Sequence, residues 1–329
     1  MCFELISYNK YDKLILFLIF HNKMKNTNTK GFLLALIAAS LWGISGTFGQ
    51  FLFQQRGVSV EWMITVRMLI SGAILLSIGA FGKNPDLWAV WKDKKDAIKL
   101  VLFGITGMLM VQYTYFAAIK HSNAATATVL QYAGPVIIAV YLAIKNKKIP
   151  RFIDFVAIAF AVLGTFILVT HGDMGRLNIS STALFFGIAS AFALAIYTIQ
   201  PVKLLNKYNS AVIIGWGMLI GGIAFSFVKA PWQVEGHWDT QAYLYTAFIV
   251  IFGTLIPFYF YLTAVQLIGG QKSSLLASGE PLSATIIAVL WLHVPFTYID
   301  WIGSLLIIST IFLLSYETKK EKTLRLSGT

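Results

Sequence analysis

The chain has 329 residues, 57% hydrophobic and 12% charged, with a mean hydropathy of +0.72 and a formal charge of +12. Soluble domains carry about 25% charged residues, so the composition speaks against a soluble α/β enzyme and against intrinsic disorder. Cys2 is the single cysteine, which excludes a secreted disulfide scaffold.

Along the chain, residues 1–30 form a basic tail. Leu14–Phe20 is apolar but too short to cross a membrane, and no small-residue cleavage pattern follows it. Met24 opens a basic stretch directly before the first long apolar run. Either translation starts there and residues 1–23 are an extension, or the segment is an interfacial anchor. Apolar runs of about 18 or more residues then read as membrane-spanning helices. Ten are predicted: Gly31–Phe53, Val60–Phe81, Ala97–Ile119, Ala124–Ile144, Phe152–Thr170, Thr182–Leu204, Ala211–Val228, Tyr243–Leu267, Ser273–His293 and Ile299–Tyr316. The alternating segments of about ten residues that build a membrane β-barrel do not occur. The expected fold is an all-α integral membrane protein of ten transmembrane helices.

Lys and Arg accumulate on the cytoplasmic side of membrane proteins. With both termini cytoplasmic, 21 of the 26 fall in inside segments, and Arg56, Lys120, Arg176 and Lys229 fall outside. Arg67 lies within a span. The split predicts an even number of spans and a multi-pass cell-membrane protein, 317–329 being a second basic tail. The net charge then faces anionic lipid, and no nucleic-acid partner is expected.

Sliding the sequence on itself by 146 residues aligns the third to fifth spans with the eighth to tenth, without gaps. Gly107 falls on Gly253, Tyr115 on Tyr261, Ala118 on Ala264, Leu130 on Leu276 and Pro135 on Pro281. "FIDF" at 152–155 falls on "YIDW" at 298–301, pairing Asp154 with Asp300. Each unit holds five helices, so the second enters the membrane in the opposite sense. Such inverted repeats are common in secondary transporters.

"LALIAASLWGISGTF" (34–48), the Arg in "ITVRMLISG" (64–72) and "YFAAIKHSNAATATVLQYAGPV" (115–136) resemble one EamA unit; "YLTAVQLIGGQKSSLLASGEPLSA" (261–284) resembles the matching stretch of a second. From about residue 31 to 316 the chain resembles the ten-helix EamA branch of the drug/metabolite transporter superfamily. The resemblance implies two repeats, 31–175 and 180–316, and a carrier of small organic solutes. Export of amino acids, other metabolites or drugs is the common activity it implies, and uptake also occurs. Two departures leave the substrate open: Gly134 stands where the second unit has Glu280, and "SAFALAIYT" (190–198) lacks a tryptophan often found there.

A charge in the hydrocarbon needs a partner or a wet cavity. Two residues meet that condition, Glu280 and Arg67. Glu280 lies about halfway along the ninth span, next to Pro281, which cannot bond the Ala277 carbonyl and should leave it free. Pro135 does the same to Gln131 in the fourth span. These matched helix breaks lie at mid-depth, where inverted-repeat carriers hold their sites. Glu280 is thus the coupling candidate, binding an amino-bearing solute or a proton; the alternative is a structural carboxylate holding the kink. Arg67 reads as structural, its side chain reaching for the outer surface.

Amides and phenols in lipid turn inward to find partners, although Tyr and Trp also populate the interfacial belts. On this ground Trp42, Gln112, Tyr115, Gln131, Tyr197, Tyr261 and Glu280 are the predicted substrate-binding residues. Gln50, Tyr113, Tyr132, Gln200 and Tyr259 share the pattern. Such a cavity suits a neutral or zwitterionic solute rather than a sugar phosphate, which a cluster of basic groups would clamp.

The five histidines lie near span ends without metal-ligand spacing, and "GWGMLIGG" (215–222) follows no strand, so it is not a dinucleotide fingerprint. No metal, cofactor or catalytic residue is expected. A passive facilitator and an intramembrane lipid-modifying enzyme are the alternatives to a coupled carrier; the enzyme would need clustered acids or histidines near one membrane face. The expected partners are a small-molecule solute and the lipid bilayer, and the sequence leaves monomer and homodimer open.

Overall fold

Inside lipid every backbone N–H and C=O must be satisfied within the protein, which drives apolar runs into helices. The computed structural model describes residues 10–81, 87–147, 151–173, 175, 180–292 and 297–327, and these are helical with no strand. Cys2, Lys83, Lys148, Arg176 and His293 lie outside the described residues.

Where consecutive segments continue one another, the described residues form ten long helices, besides a short 3-10 turn at Ala89–Lys92. The first five are α1 (Lys10–Gln55), α2 (Val60–Ala80), α3 (Lys94–His121), α4 (Ala124–Gln131 continued by Gly134–Asn146) and α5 (Phe152–Thr170). The second five are α6 (Ser181–Lys207), α7 (Ser210–Ser226), α8 (Thr240–Ile268), α9 (Gly270–Leu276 continued by Gly279–Leu292) and α10 (Tyr298–Ser327). Six described helices are long and apolar enough to cross a membrane by length and composition, namely Thr27–Gln55 within α1, α2, α3, Thr126–Asn146 within α4, α6 and α8. Helix α7 is an apolar helix of 17 residues. Helix α1 spans Lys10–Gln55 and α10 spans Tyr298–Ser327, so the described parts of both segments read as basic tails are helical.

Side chains cap the helix starts, because the first N–H groups have no partner within the helix. Asp93 accepts from the backbone of Lys95 and Asp96 before α3, and Asp239 accepts from Ala242 before α8. Asp154 Oδ2 accepts from Arg151 N, and Asp300 Oδ2 from Thr297 N. Both pairs of caps stand 146 residues apart. The duplication also reaches the irregularities. A π-helical stretch interrupts α3 at Phe103–Leu109 and α8 at Ile251–Leu255. Likewise α4 breaks at Tyr132–Ala133, and α9 at Ala277–Ser278, each just before its proline.

Corresponding helices of the two halves pack antiparallel. Between α2 and α7, Trp62 Nε1 donates to Pro231 O near one end and Gly79 lies against Val212 near the other. A Cβ on Gly72 would sit 2.8 Å from Leu219 N and 3.0 Å from Gly215 O, so glycine lets these backbones meet. Between α5 and α10, Gly164 faces the Gly303 carbonyl and Thr310 Oγ1 donates to Ala157 O. Helix α1 runs antiparallel to α8, and α3 to α6, giving two more contacts that interchange when the halves are exchanged. Large apolar side chains, among them Ile78, Phe185 and Leu305, stay exposed on the outside, where the interior of a soluble protein would hide them.

Candidate functional site

A cavity of about 50 Å³ lies where both halves meet, lined from α1, α2, α3, α4, α6, α8 and α9. That is room for roughly three to five ordered waters at about 10–15 Å³ each. The breaks in α4 and α9 bring Gln131, Tyr132 and Pro135 of α4 and Ala277 and Glu280 of α9 to its lining. A second cavity of about 190 Å³ adjoins it, lined by Gln50, Thr128, His171, Pro281 and others. Gly46, Tyr115 and Glu280 line both, so the Tyr115–Glu280 contact forms part of the wall between them.

That contact is a hydrogen bond. Tyr115 Oη donates to Glu280 Oε1 at 2.8 Å and lies 2.9 Å from Thr128 Oγ1. Thr128 therefore donates to Tyr115, which donates to Glu280. Helix α1 approaches α9 closely at this level because Gly43 lies against the Glu280 carbonyl; a Cβ there would sit 2.4 Å from that oxygen. The Ala277 carbonyl is not left free by Pro281, as expected from sequence. It accepts the Tyr132 hydroxyl from α4 as well as Glu280 N at 2.9 Å. The two broken helices are thus tied together at their breaks.

Arg67 corrects a second expectation. Its side chain does not reach for a membrane surface; it is 3% exposed and lines the central cavity. The guanidinium lies 4.5 Å from the Phe116 ring and 6.0 Å from that of Phe258. Nη2 donates to Gly253 O at 3.2 Å, a carbonyl of the π-helical stretch in α8. A π turn disturbs the regular i to i−4 ladder, which makes its carbonyls natural acceptors for a side chain. Nε and Nη1 have no partner among the described residues.

Of the predicted substrate-binding residues, Trp42, Gln112, Tyr115, Gln131, Tyr197 and Glu280 all line the central cavity. Tyr261 stands behind them. Its hydroxyl is 3.0 Å from Thr198 Oγ1, and its ring stacks on Tyr197 and packs on Trp42. Of the predicted helix breaks, Pro135 lines the central cavity and Pro281 the adjoining one. Gln50 accepts from Ala124 N at the start of α4, Tyr113 packs among Phe186 and Phe225, and Gln200 contacts Thr106. Sequence reasoning missed Arg67, Ser45 and Ser274 as cavity residues. The signal for Arg67 was present, since an ionisable side chain within a span is by default a functional candidate.

The ends of the bundle carry ion pairs. Arg56, after α1, lies 2.8 Å from Asp239 Oδ2. Lys207, at the end of α6, lies 2.6 Å from Asp96 Oδ2 and 3.4 Å from Asp93 Oδ2. Gln54 Nε2 bonds the carbonyls of Ile119 and Ser122; Arg56 therefore sits at the α3 C-terminal end and Lys207 at its N-terminal end. The backbone N–H of Ala242 and the Arg56 guanidinium hold the Asp239 carboxyl below its ordinary range. The backbone N–H groups of Asp96 and Lys95 do the same for Asp93, with help from Lys207. His171 Nδ1 lies 2.5 Å from the buried Asp300 Oδ1. Among the described residues no group of three metal-ligating side chains comes together.

Comparison with known proteins agrees with this architecture. The sequence model of the EamA-like transporter family matches residues 29–170 and again residues 181–316. The inner membrane transporter YicL of Salmonella typhimurium is 41% identical over 296 residues, covering 89% of this chain and 97% of its own. The threonine/homoserine exporter RhtA of Escherichia coli K12 is 23% identical over 265 residues, 80% of this chain and 84% of its own. A crystal structure at 16% identity superimposes with a TM-score of 0.71 over 89% of this chain and 98% of that one, a likeness of fold. With two matched units, exposed apolar helices and relatives named as transporters, this chain is a multi-pass membrane protein and belongs to the EamA-like transporter family.

Proposed function

We propose that the chain is a secondary carrier of ten membrane-crossing helices in two inverted five-helix repeats, 31–175 and 180–316, with both termini cytoplasmic. The 21-to-4 placement of Lys and Arg and the antiparallel packing of α2 on α7 and α5 on α10 support this topology. The substrate is a small organic metabolite, amino-acid-like, an amine or drug-like, bound at Trp42, Gln112, Tyr115, Gln131, Tyr197 and Glu280, with Tyr261 supporting the wall. Export is the favoured direction, in keeping with the relative named as a threonine/homoserine exporter.

One observation carries the reading: a largely apolar cavity between the repeats, at two matched helix breaks, holds a carboxylate. Its volume of about 50 Å³ is too small for an amino acid. The repeats must part to admit a solute, first towards one face and then the other. The adjoining cavity beyond Tyr115 marks one such route. Glu280 is the coupling site in this scheme, exchanging a proton for the solute as the Tyr115 bond opens and closes.

Counterflow in liposomes against amino acids, amines and nucleobases tests the carrier; accumulation against a gradient separates it from a passive facilitator. Glu280→Gln should abolish proton-dependent transport while the protein stays folded and monodisperse. Unchanged pH dependence would remove Glu280 from the coupling step.

A further inference from the structure

The central cavity holds hydrogen-bonding groups that the protein itself does not satisfy. Arg67 Nε and Nη1, Trp42 Nε1, Tyr197 Oη and Gln112 Oε1 are each buried and without a partner among the described residues, and all four residues line the cavity. Buried polar groups are nearly always paired, and leaving one unpaired costs its full desolvation. Arg67 is the extreme case. It carries five N–H donors, and one bond, from Nη2 to Gly253 O, is made to protein. The Phe116 and Phe258 rings pack against the guanidinium, which helps fix its position and adds no oxygen acceptor.

Among the lining residues Arg67 supplies the one basic group and Glu280 the one acidic group. We infer that Arg67 is the carboxylate-binding residue of this cavity, and that the solute is a zwitterion whose carboxylate meets Arg67 and whose ammonium meets Glu280. The inference rests on the carrier reading and narrows its substrate class. The unpaired donors of Trp42 and Tyr197 complete the anion site, and the free Gln112 carbonyl offers an acceptor to the ammonium. The charge pattern also rejects other solutes. A simple amine leaves Arg67 buried and unmatched, and a simple carboxylate does the same to Glu280. Unpaired buried charges are a strong basis for discrimination.

The test uses the full-length protein in liposomes with three neutral amino acids, L-serine, L-valine and L-leucine. Each is compared in counterflow with its carboxamide and with its decarboxylated amine. The expected result is exchange of at least one amino acid, with its amide and amine at least ten-fold weaker as competitors. Arg67→Lys keeps a positive charge and loses the guanidinium donors; it should raise the KM of that amino acid ten-fold or more. Trp42→Phe keeps the ring, loses the N–H, and should raise KM by a smaller factor. Equal competition by amides and amines overturns the inference, as does an unchanged KM in Arg67→Lys. The wild-type comparison decides the substrate class even if Arg67→Lys fails to fold. Exchange of amines or nucleobases alone overturns the zwitterion site and leaves the carrier standing. A protein inert towards every solute of the wider panel overturns both.

Discussion

Tyr115 is the middle of a three-residue chain, accepting a hydrogen bond from Thr128 and donating one to Glu280. Tyr115→Phe keeps the ring and removes both bonds. Losing a hydrogen bond to a charged group costs roughly 1.5–3 kcal/mol, about a 10- to 100-fold change in how firmly this wall stays closed. Because Cys2 is the single cysteine, a Cys2→Ser background carrying Gln112→Cys reports on the central cavity. An impermeant maleimide added outside should label it at least ten-fold faster when Tyr115 is Phe. Equal rates would show that the wall lies elsewhere. Glu280 was legible in sequence as a cavity residue, because a carboxylate at mid-span needs a partner or a wet cavity. The direction of Arg67 was not legible: α2 is apolar on every side, so no polar stripe shows which way one charge points.

At the level of helices, glycines set how closely the halves approach. Gly72→Ala forces a methyl group against the α7 backbone, which side-chain rotation cannot relieve. Overpacking of this kind costs about 1–3 kcal/mol. The variant should melt several degrees lower in detergent, whereas Ala73→Leu, on the exposed side of α2, should leave Tm unchanged. Equal Tm values for Gly72→Ala and wild type would show that the helices part freely. The proline breaks in α4 and α9 were predictable, since a missing N–H acts wherever proline stands. The π-helical stretches were not, because an extra residue in a turn leaves no mark on composition. Only the alignment of Gly107 with Gly253 hinted that both helices share an irregularity there.

Across the whole molecule, the same cap position serves opposite ends. Asp93 and Asp239, 146 residues apart, each start a helix and each meet a cation from the other half, Lys207 and Arg56. The Asp239 carboxyl is held below its ordinary range, so its contribution is full at neutral pH and fades as acid protonates it. Asp239→Asn keeps a cap acceptor and loses the charge. It should lower Tm at pH 7, and the gap from wild type should begin to narrow below the ordinary aspartate value of about 3.9 and close once the pH passes below the lowered folded-state value. A gap that persists unchanged into acid would assign the effect to the cap alone. The duplication made Asp154 and Asp300 legible as equivalents, and both begin their helices. The helical course of α1 through residues 10–30 was hidden, because a charged, amide-rich stretch from 22 to 30 reads as a boundary. One further bond has a mechanical meaning. The Tyr132 hydroxyl on the Ala277 carbonyl yokes one half to the other at the very points where both are weakest. Neither broken helix swivels alone without breaking that bond, so the stroke of one half is geared to that of its twin.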